Sequence, residues 1–321
     1  MRVALVLGSG GARGYAHIGI IDELKARGHE IVAISGTSMG ALVGGLEAVG
    51  KLNEFAQWAT NLTHLDVWRK FDFTLTGAGL LKAEKIFGEM NPLFGDARIE
   101  DLPIPFTAVA ADITAQREVW FQRGPLAAAI RASIAIPGVI TPVMMRDHVL
   151  VDGGVCNPVP VEPTLSVPSD VTIAISLAGR PMVISAHEPT TADDVREISE
   201  GSSLFSRLPF VGRKETDTGS GTSATADASE IEDDIEQGST ESTADMLRPA
   251  GRKTAGTMEV INNSIDTMKG MIERYRAAPT PAQVQITIPY DAAGTMDFHR
   301  AADLIELGRD YAVKAFDAAG L

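Results

Sequence analysis

Short apolar runs bounded by glycines and polar turns recur through the first half of the chain. Val3-Ala4-Leu5-Val6-Leu7, Ile31-Val32-Ala33-Ile34-Ser35, Phe106-Thr107-Ala108-Val109-Ala110, Glu118-Val119-Trp120-Phe121, Val149-Leu150-Val151 and Val171-Thr172-Ile173-Ala174-Ile175 are too short for helices and rich in β-branched or aromatic residues, so they predict strands. Helical patterns separate them from Met1 to about Leu177 with no linker, which predicts an α/β fold in one domain. Near the end, Met258, Ile261, Ile265, Met268, Ile272 and Tyr275 are spaced by three or four and predict a helix packing its apolar stripe over the sheet. Val284-Gln285-Ile286-Thr287-Ile288 reads as another strand. A last helix is expected over 299–319, with Leu304, Leu307, Tyr311 and Phe316 facing inward.

Between these halves the composition changes. From Glu215 to Asp245 there is no Lys or Arg, while six carboxylates crowd between Asp227 and Glu236 among Ser, Thr and Gly. Such a stretch cannot bury enough apolar surface to offset its backbone entropy, so 185–255 is expected to be a disordered acidic insertion. It accounts for much of the net charge of -14. The insertion is either a tolerated surface loop or an acidic tether. Residues 1–184 and 256–321 are then expected to form one domain.

The candidate chemistry sits at strand exits. Gly36-Thr37-Ser38-Met39-Gly40 is a GxSxG sequence entered by a strand-like run and left through helix-prone Ala41-Leu42-Val43, the context of a nucleophile elbow, although a plain turn has the same letters. Ser38 is the candidate nucleophile, with Gly36 and Gly40 leaving room for the tight backbone. A second cluster, Gly8-Ser9-Gly10-Gly11-Ala12-Arg13-Gly14, follows the first strand. It fails as a dinucleotide fingerprint because Arg13 replaces the third glycine, and as a P-loop because no Gly-Lys-Ser/Thr follows. The remaining reading is an oxyanion hole made by the amides of Gly10, Gly11 and Ala12. Arg13 would add positive potential there or pin the loop through carbonyls.

A serine needs a base, and none of the six histidines is marked by its neighbours. His299 alone fits the order Ser, Asp, His of the α/β-hydrolase triad, but it reads more simply as a surface residue opening the last helix. Asp152, in Val149-Leu150-Val151-Asp152-Gly153-Gly154, is the better candidate: a buried strand delivers a carboxylate at its end, unless Asp-Gly marks a hairpin turn.

Taken in order, Gly10-Gly11-Ala12-Arg13-Gly14, Gly36-Thr37-Ser38-Met39-Gly40 and Asp152-Gly153-Gly154 resemble the patatin-like phospholipases. Ala132-Ser133-Ile134-Ala135-Ile136-Pro137-Gly138 looks like that family's small-residue loop ahead of the aspartate, and Asn157-Pro158-Val159-Pro160 like the turn after it. The closing region, with Met296-Asp297-Phe298, looks most like the bacterial subgroup related to neuropathy target esterase. The resemblance implies a three-layer fold, a mainly parallel central sheet with helices on both faces. It also implies a Ser38–Asp152 dyad, an oxyanion hole from Gly10 to Arg13 and phospholipid or lysophospholipid substrates. Without it, the motifs say only "ester".

Phe55, Trp58, Leu62, Leu65 and Trp68 recur at helical spacing, followed by Phe71 and Phe73 beside Arg69 and Lys70. They suit either a bilayer interface or a helix covering the sheet. No apolar run reaches the ~18 residues needed to span a bilayer, so any membrane contact is expected to be peripheral. A single cysteine, Cys156, is compatible with a reducing compartment, and the expected location is cytoplasmic or at the inner face of the membrane. No cofactor, metal or nucleic-acid partner is expected. A non-hydrolytic module that binds an anion or a lipid head group is the alternative function.

Overall fold

A computed structural model describes residues 1–70, 79–81, 84–179 and 257–321. The expected acidic insertion, Phe71 and Phe73 lie outside the described residues, as do the side chains of Trp68, Met258 and Ile261. Met1–Met182 and Met258–Leu321 form one compact unit.

The strands are β1 (Arg2–Leu7), β2 (Glu30–Thr37), β3 (Gly79–Leu81), β4 (Phe106–Asp112), β5 (Arg117–Phe121), β6 (Gly138–Ile140), β7 (Val143–Met145), β8 (His148–Asp152), β9 (Val171–Gly179) and β10 (Val284–Pro289). The main sheet runs β10-β9-β1-β2-β4-β8-β7, with β5 also pairing β4, and β3 pairs β6 separately. From β10 to β4 all pairs are parallel; β5, β7 and β8 join antiparallel. The fold is therefore α/β with a mixed, mostly parallel sheet. The predicted strands recur one or a few residues longer, whereas three-residue β3, β6 and β7 carry too little pattern to be read from sequence.

The helices are α1 (Ala16–Ala26), α2 (Met39–Ala48), α3 (Leu52–Thr60), α4 (His64–Lys70), α5 (Glu84–Phe94), α6 (Leu126–Ser133), α7 (Thr257–Ala277) and α8 (Ala301–Ala319). Successive β1 side chains point to opposite faces. Val3, Leu5 and Leu7 join the large core with Ile20, Ile21, Leu24, Leu304 and Phe316 of α1 and α8, while Val6 meets Ala174 and Val161 in a smaller cluster. Helices α1 and α8 touch backbone to backbone: a Cβ on Gly19 would lie 1.9 Å from the Ile305 carbonyl oxygen, and one on Gly308 2.0 Å from that of Ala16.

The expected apolar packing of α7 is corrected in part by the structure: of the stripe's described members, Ile265 and Ile272 are half-buried, whereas Met268 and Tyr275 are exposed, Tyr275 at 75%. Lys269, Glu273 and Arg276, spaced four and three residues apart, are half-buried beside the two isoleucines, and the exposed Asp266 continues the same polar stripe. Asp266 lies 3.9 Å from Arg13, Glu273 bonds Ser176 of β9, and Arg276 bonds Glu118 and Glu162. The physical reason is that the strand positions under α7 include Ser176 and the neighbouring loops offer carboxylates, so the polar stripe has partners there. Helix α8 keeps its predicted packing, with Leu304 and Phe316 buried, although Leu307 and Tyr311 are only partly so. Leu304→Ala is expected to cost about 2–5 kcal/mol of unfolding free energy, whereas Met268→Gln should stay within about 0.5 kcal/mol. Urea titration of both variants checks this reversal.

Candidate active site

Ser38 occupies a sharp strand-to-helix turn. It has φ 58° and ψ -125°, a left-handed conformation rarely adopted by a non-glycine residue, and it caps α2. Such strain is affordable only where surroundings fix it. Here they do. The Ser38 amide donates to Ser133 Oγ at 2.8 Å, and that hydroxyl donates to the Val109 carbonyl at 2.6 Å. A Cβ on Gly40 would lie 2.1 Å from the Leu7 carbonyl oxygen, and one on Gly36 2.4 Å from that of Gly40, so both elbow glycines are required by close approach. The N-terminus of α2 directs its partial positive charge at the Ser38 position.

Register brings Asp152 to the same place. Thr37 of β2 is level with Val109 of β4, and β4 continues past it, its last three residues Ala110 to Asp112 pairing with Asp152 to Leu150 of antiparallel β8. Strand β8 thus runs back towards the elbow and ends one register position from Thr37, on the far side of β4. The Ser38 hydroxyl donates to Asp152 Oδ2, and the Gly154 amide donates to Oδ1 at 2.7 Å. Gly153 is packed against the Val109 carbonyl oxygen, 2.3 Å from where a Cβ would stand. The pair is buried, with Ser38 3% and Asp152 1% exposed. Burial pushes the Asp152 carboxyl above its ordinary value, against the charge of Lys269, the Ser38 hydrogen bond and the Gly154 amide.

The glycine loop lies beside them, with one correction to its expected donors. The Ala12 amide donates to the Thr295 carbonyl at 3.0 Å, so it is occupied in holding the loop. No acceptor among the described residues takes the amides of Gly10 and Gly11; Gly11, at φ +58°, has the conformation glycine allows and lines the cleft next to Ser38. Arg13 is buried, donating to the Gly10 carbonyl at 3.1 Å and the Tyr290 carbonyl at 2.7 Å, so it pins the loop.

No described histidine bonds to Ser38 or Asp152. His17, wholly buried, bonds the Gly8 carbonyl through Nε2 at 2.9 Å, and its pKa is pushed down to about 4 by burial. His64 and His299 meet edge to face at 5.0 Å, and His148 Nδ1 lies 2.7 Å from Asp112. Among the described residues there is no cluster of three or more potential metal ligands.

In front of Ser38 opens an apolar cleft of about 550 Å³ including its mouth. Phe55 and Trp58 of α3, Phe87 and Met90 of α5, Ile134 and Phe298 are among its walls. For part of the aromatic segment the structure gives a third placement: Phe55 and Leu62 are buried, and Phe55 and Trp58 line the cleft. Leu65 alone of the described apolar members is strongly exposed, at 64%.

Residues 5–165 match the family model described as patatin-like phospholipase. The chain belongs to the patatin-like phospholipase family. It is similar to an uncharacterized NTE family protein of Mycobacterium tuberculosis, 43% identical over 99% of this chain and 92% of that one. It is also similar to patatin-like phospholipase domain-containing protein 7 of Rattus norvegicus, 34% identical over 56% of this chain and 14% of that protein. Among solved structures, VipD from Legionella pneumophila aligns with a TM-score of 0.40 and 12% identity, over 99% of this chain and 66% of that one. Membership in the patatin-like phospholipases supports hydrolysis of lipid esters. No helix among the described residues is long and apolar enough to cross a membrane.

Ser133 is the site residue that sequence reasoning left without a role. It was visible only as one member of a small-residue loop, and its partners, Ser38 and Val109, lie far away in sequence.

The raised Asp152 pKa has a sign that can be tested. Between its unfolded and folded pKa values the native state holds a proton that the unfolded chain has lost, so this residue's contribution to stability falls as pH rises through that window. Asp152→Asn removes the buried charge and keeps an acceptor. Above the window the variant is expected to melt a few degrees higher than wild type, by about 2–4 °C per kcal/mol relieved, and the gain should shrink on acidification. A Tm at pH 8 lower than wild type would contradict this account.

Proposed function

We propose that the protein is a serine lipid acyl hydrolase that cleaves carboxylic esters of phospholipids or lysophospholipids with a Ser38–Asp152 dyad. The observation that carries this reading is the hydrogen bond from the Ser38 hydroxyl to Asp152 at the floor of an apolar cleft. In the first half-reaction Ser38 Oγ attacks the ester carbonyl while its proton passes to Asp152 Oδ2. The oxyanion faces the Gly10 and Gly11 amides and the N-terminus of α2, and one such donor is typically worth about 2.7–4 kcal/mol. Collapse breaks the bond to the alcohol, which leaves with the proton from Asp152. Water then attacks acyl-Ser38, giving its proton to Asp152, and the fatty acid departs as the proton returns to Ser38 Oγ.

Raising the basicity of a carboxylate by burial suits it to this role, since an ordinary carboxylate is a weak base for a hydroxyl proton. The cleft supports a long acyl chain, for its walls are apolar and carry no charged side chain. The same feature disfavours a module that binds an anionic head group inside the cleft. Peripheral contact with a lipid surface is part of the reading. Val67 of α4 packs with Ile86 and Phe298, which line the cleft, and Leu65 of the same helix is exposed.

A fluorophosphonate is expected to label the intact protein once, at Ser38. Ser38→Ala should abolish both labelling and release of fatty acid from a lipid panel read by mass spectrometry, and Asp152→Asn should lower kcat by at least about 10²-fold. Equal labelling of wild type and Ser38→Ala would refute the reading. Met90→Trp, which fills the cleft, is expected to shift preference towards shorter acyl chains by about tenfold or more in kcat/KM for a long against a short ester. Unchanged chain-length preference would remove the cleft from the substrate path.

A further inference from the structure

Behind the dyad, three separately encoded segments are tied to one turn. Thr37, the residue before Ser38, donates its hydroxyl to the Asn157 carbonyl at 2.8 Å. The Asn157 amide donates to the Gly153 carbonyl at 2.8 Å, one residue after Asp152. Ser9 of the glycine loop donates to the Pro158 carbonyl at 2.9 Å, and Ser35 Oγ bonds the Pro160 carbonyl. The turn 157–160 is therefore the common anchor of nucleophile, carboxylate and loop.

What holds the turn comes from elsewhere in the chain. The wholly buried Asn157 donates through Nδ2 to Glu118 Oε2 at 2.9 Å and to Glu162 Oε2 at 3.3 Å. Two carboxylates converging on one amide repel each other in a partly dry setting. Arg276 of α7 sits between them, its guanidinium nitrogen 3.2 Å from Glu118 Oε1 and 2.6 Å from Glu162 Oε1. The three side chains are only 24–30% exposed, so solvent screens them less than a surface pair. Since α7 also reaches Arg13 through Asp266, one helix addresses both the loop and the turn.

We propose that Arg276, with Glu118 and Glu162, is a positioning residue for hydrolysis: through Asn157 it sets the separation and aim of Ser38 and Asp152. This rests on the hydrolase reading for its kinetic consequence, but the clamp itself is a statement about local order. Arg276 touches neither reacting atom. Its removal leaves two like charges around Asn157, which swings the turn and loosens Thr37 and Gly153 together. Small misplacements of reacting groups cost up to about 10²-fold in rate.

The test compares wild type, Arg276→Met and the triple variant Arg276→Met/Glu118→Gln/Glu162→Gln on a soluble short-chain ester, alongside amide hydrogen exchange. For Arg276→Met, kcat is expected to fall about 10- to 100-fold with KM little changed. Exchange should speed up at 37–39 and 153–158, and stay unchanged in β1 and α8. The triple variant, with no charge left to balance and amides still able to bond Asn157, should recover kcat to within about fivefold of wild type. Should Arg276→Met fail to fold, Arg276→Gln is read instead. It leaves the two carboxylates uncompensated but keeps a donor for one of them, so a loss of about threefold or more in kcat and faster exchange at Asn157 are expected, and a kcat equal to wild type would overturn the proposal. A kcat within twofold of wild type, uniform loosening of the whole fold, or a triple variant no better than the single one would overturn the proposal. If wild type neither hydrolyses esters nor labels at Ser38, the hydrolase reading falls by itself, and the exchange pattern still decides for or against the clamp.

Discussion

The geometry of the site depends on how far β4 extends past its neighbour. Strand β2 stops at Thr37, level with Val109, while β4 continues to Asp112. Those last residues give antiparallel β8 something to pair with, and the pairing ends where β2 ended. A parallel strand in that position would have carried its carboxyl-terminal residue away from the elbow. The overhang turns an ordinary ladder into a device that sets a hydroxyl and a carboxylate on either side of one strand. Because side chains alternate along a strand, a slip of a single residue in this pairing would send Asp152 to the opposite face.

Several costs accumulate around that contact. A serine is held with positive φ, a carboxylate is kept out of water, and backbones approach so closely at Gly40 and Gly153 that no Cβ fits. Each would destabilise an isolated segment, and each is imposed by packing on neighbours. Ser133 is informative in this respect. It sits at the end of α6, bonds the amide of the strained residue and the carbonyl that Gly153 abuts, and so connects the elbow to the β4–β8 pairing without touching either acidic oxygen.

What could be read from the letters follows the range of the interactions. Strands β1, β2, β4 and β9 declare themselves because their burial is written in runs of apolar residues, and the elbow because five consecutive residues contain all its demands. Asp152 is legible as a carboxylate at a strand end, but the antiparallel direction that delivers it is not. Three further features were out of reach or misread. The amide of Ala12 is consumed by Thr295, a pairing no local pattern announces. Phe55 and Trp58 have the spacing of an interfacial helix, and only their placement opposite Ile86 and Phe87 makes them cleft walls. The apolar stripe of α7 promised inward packing, yet Met268 and Tyr275 are exposed and the adjoining polar stripe finds the tertiary partners.

That polar attachment has its own thermodynamic character. Helix α7 meets the body through Arg276–Glu118, Arg276–Glu162, Asp266–Arg13 and Glu273–Ser176, while Met271 and Tyr275 keep their hydration shells. Mobile ions, whose screening reaches within about 10 Å at 0.1 M, weaken the exposed contact of Asp266 more than the partly buried cluster around Arg276. Rising ionic strength is then expected to loosen the Asp266 end of this helix before the Arg276 end, and to leave the aliphatic interior between α1 and α8 untouched.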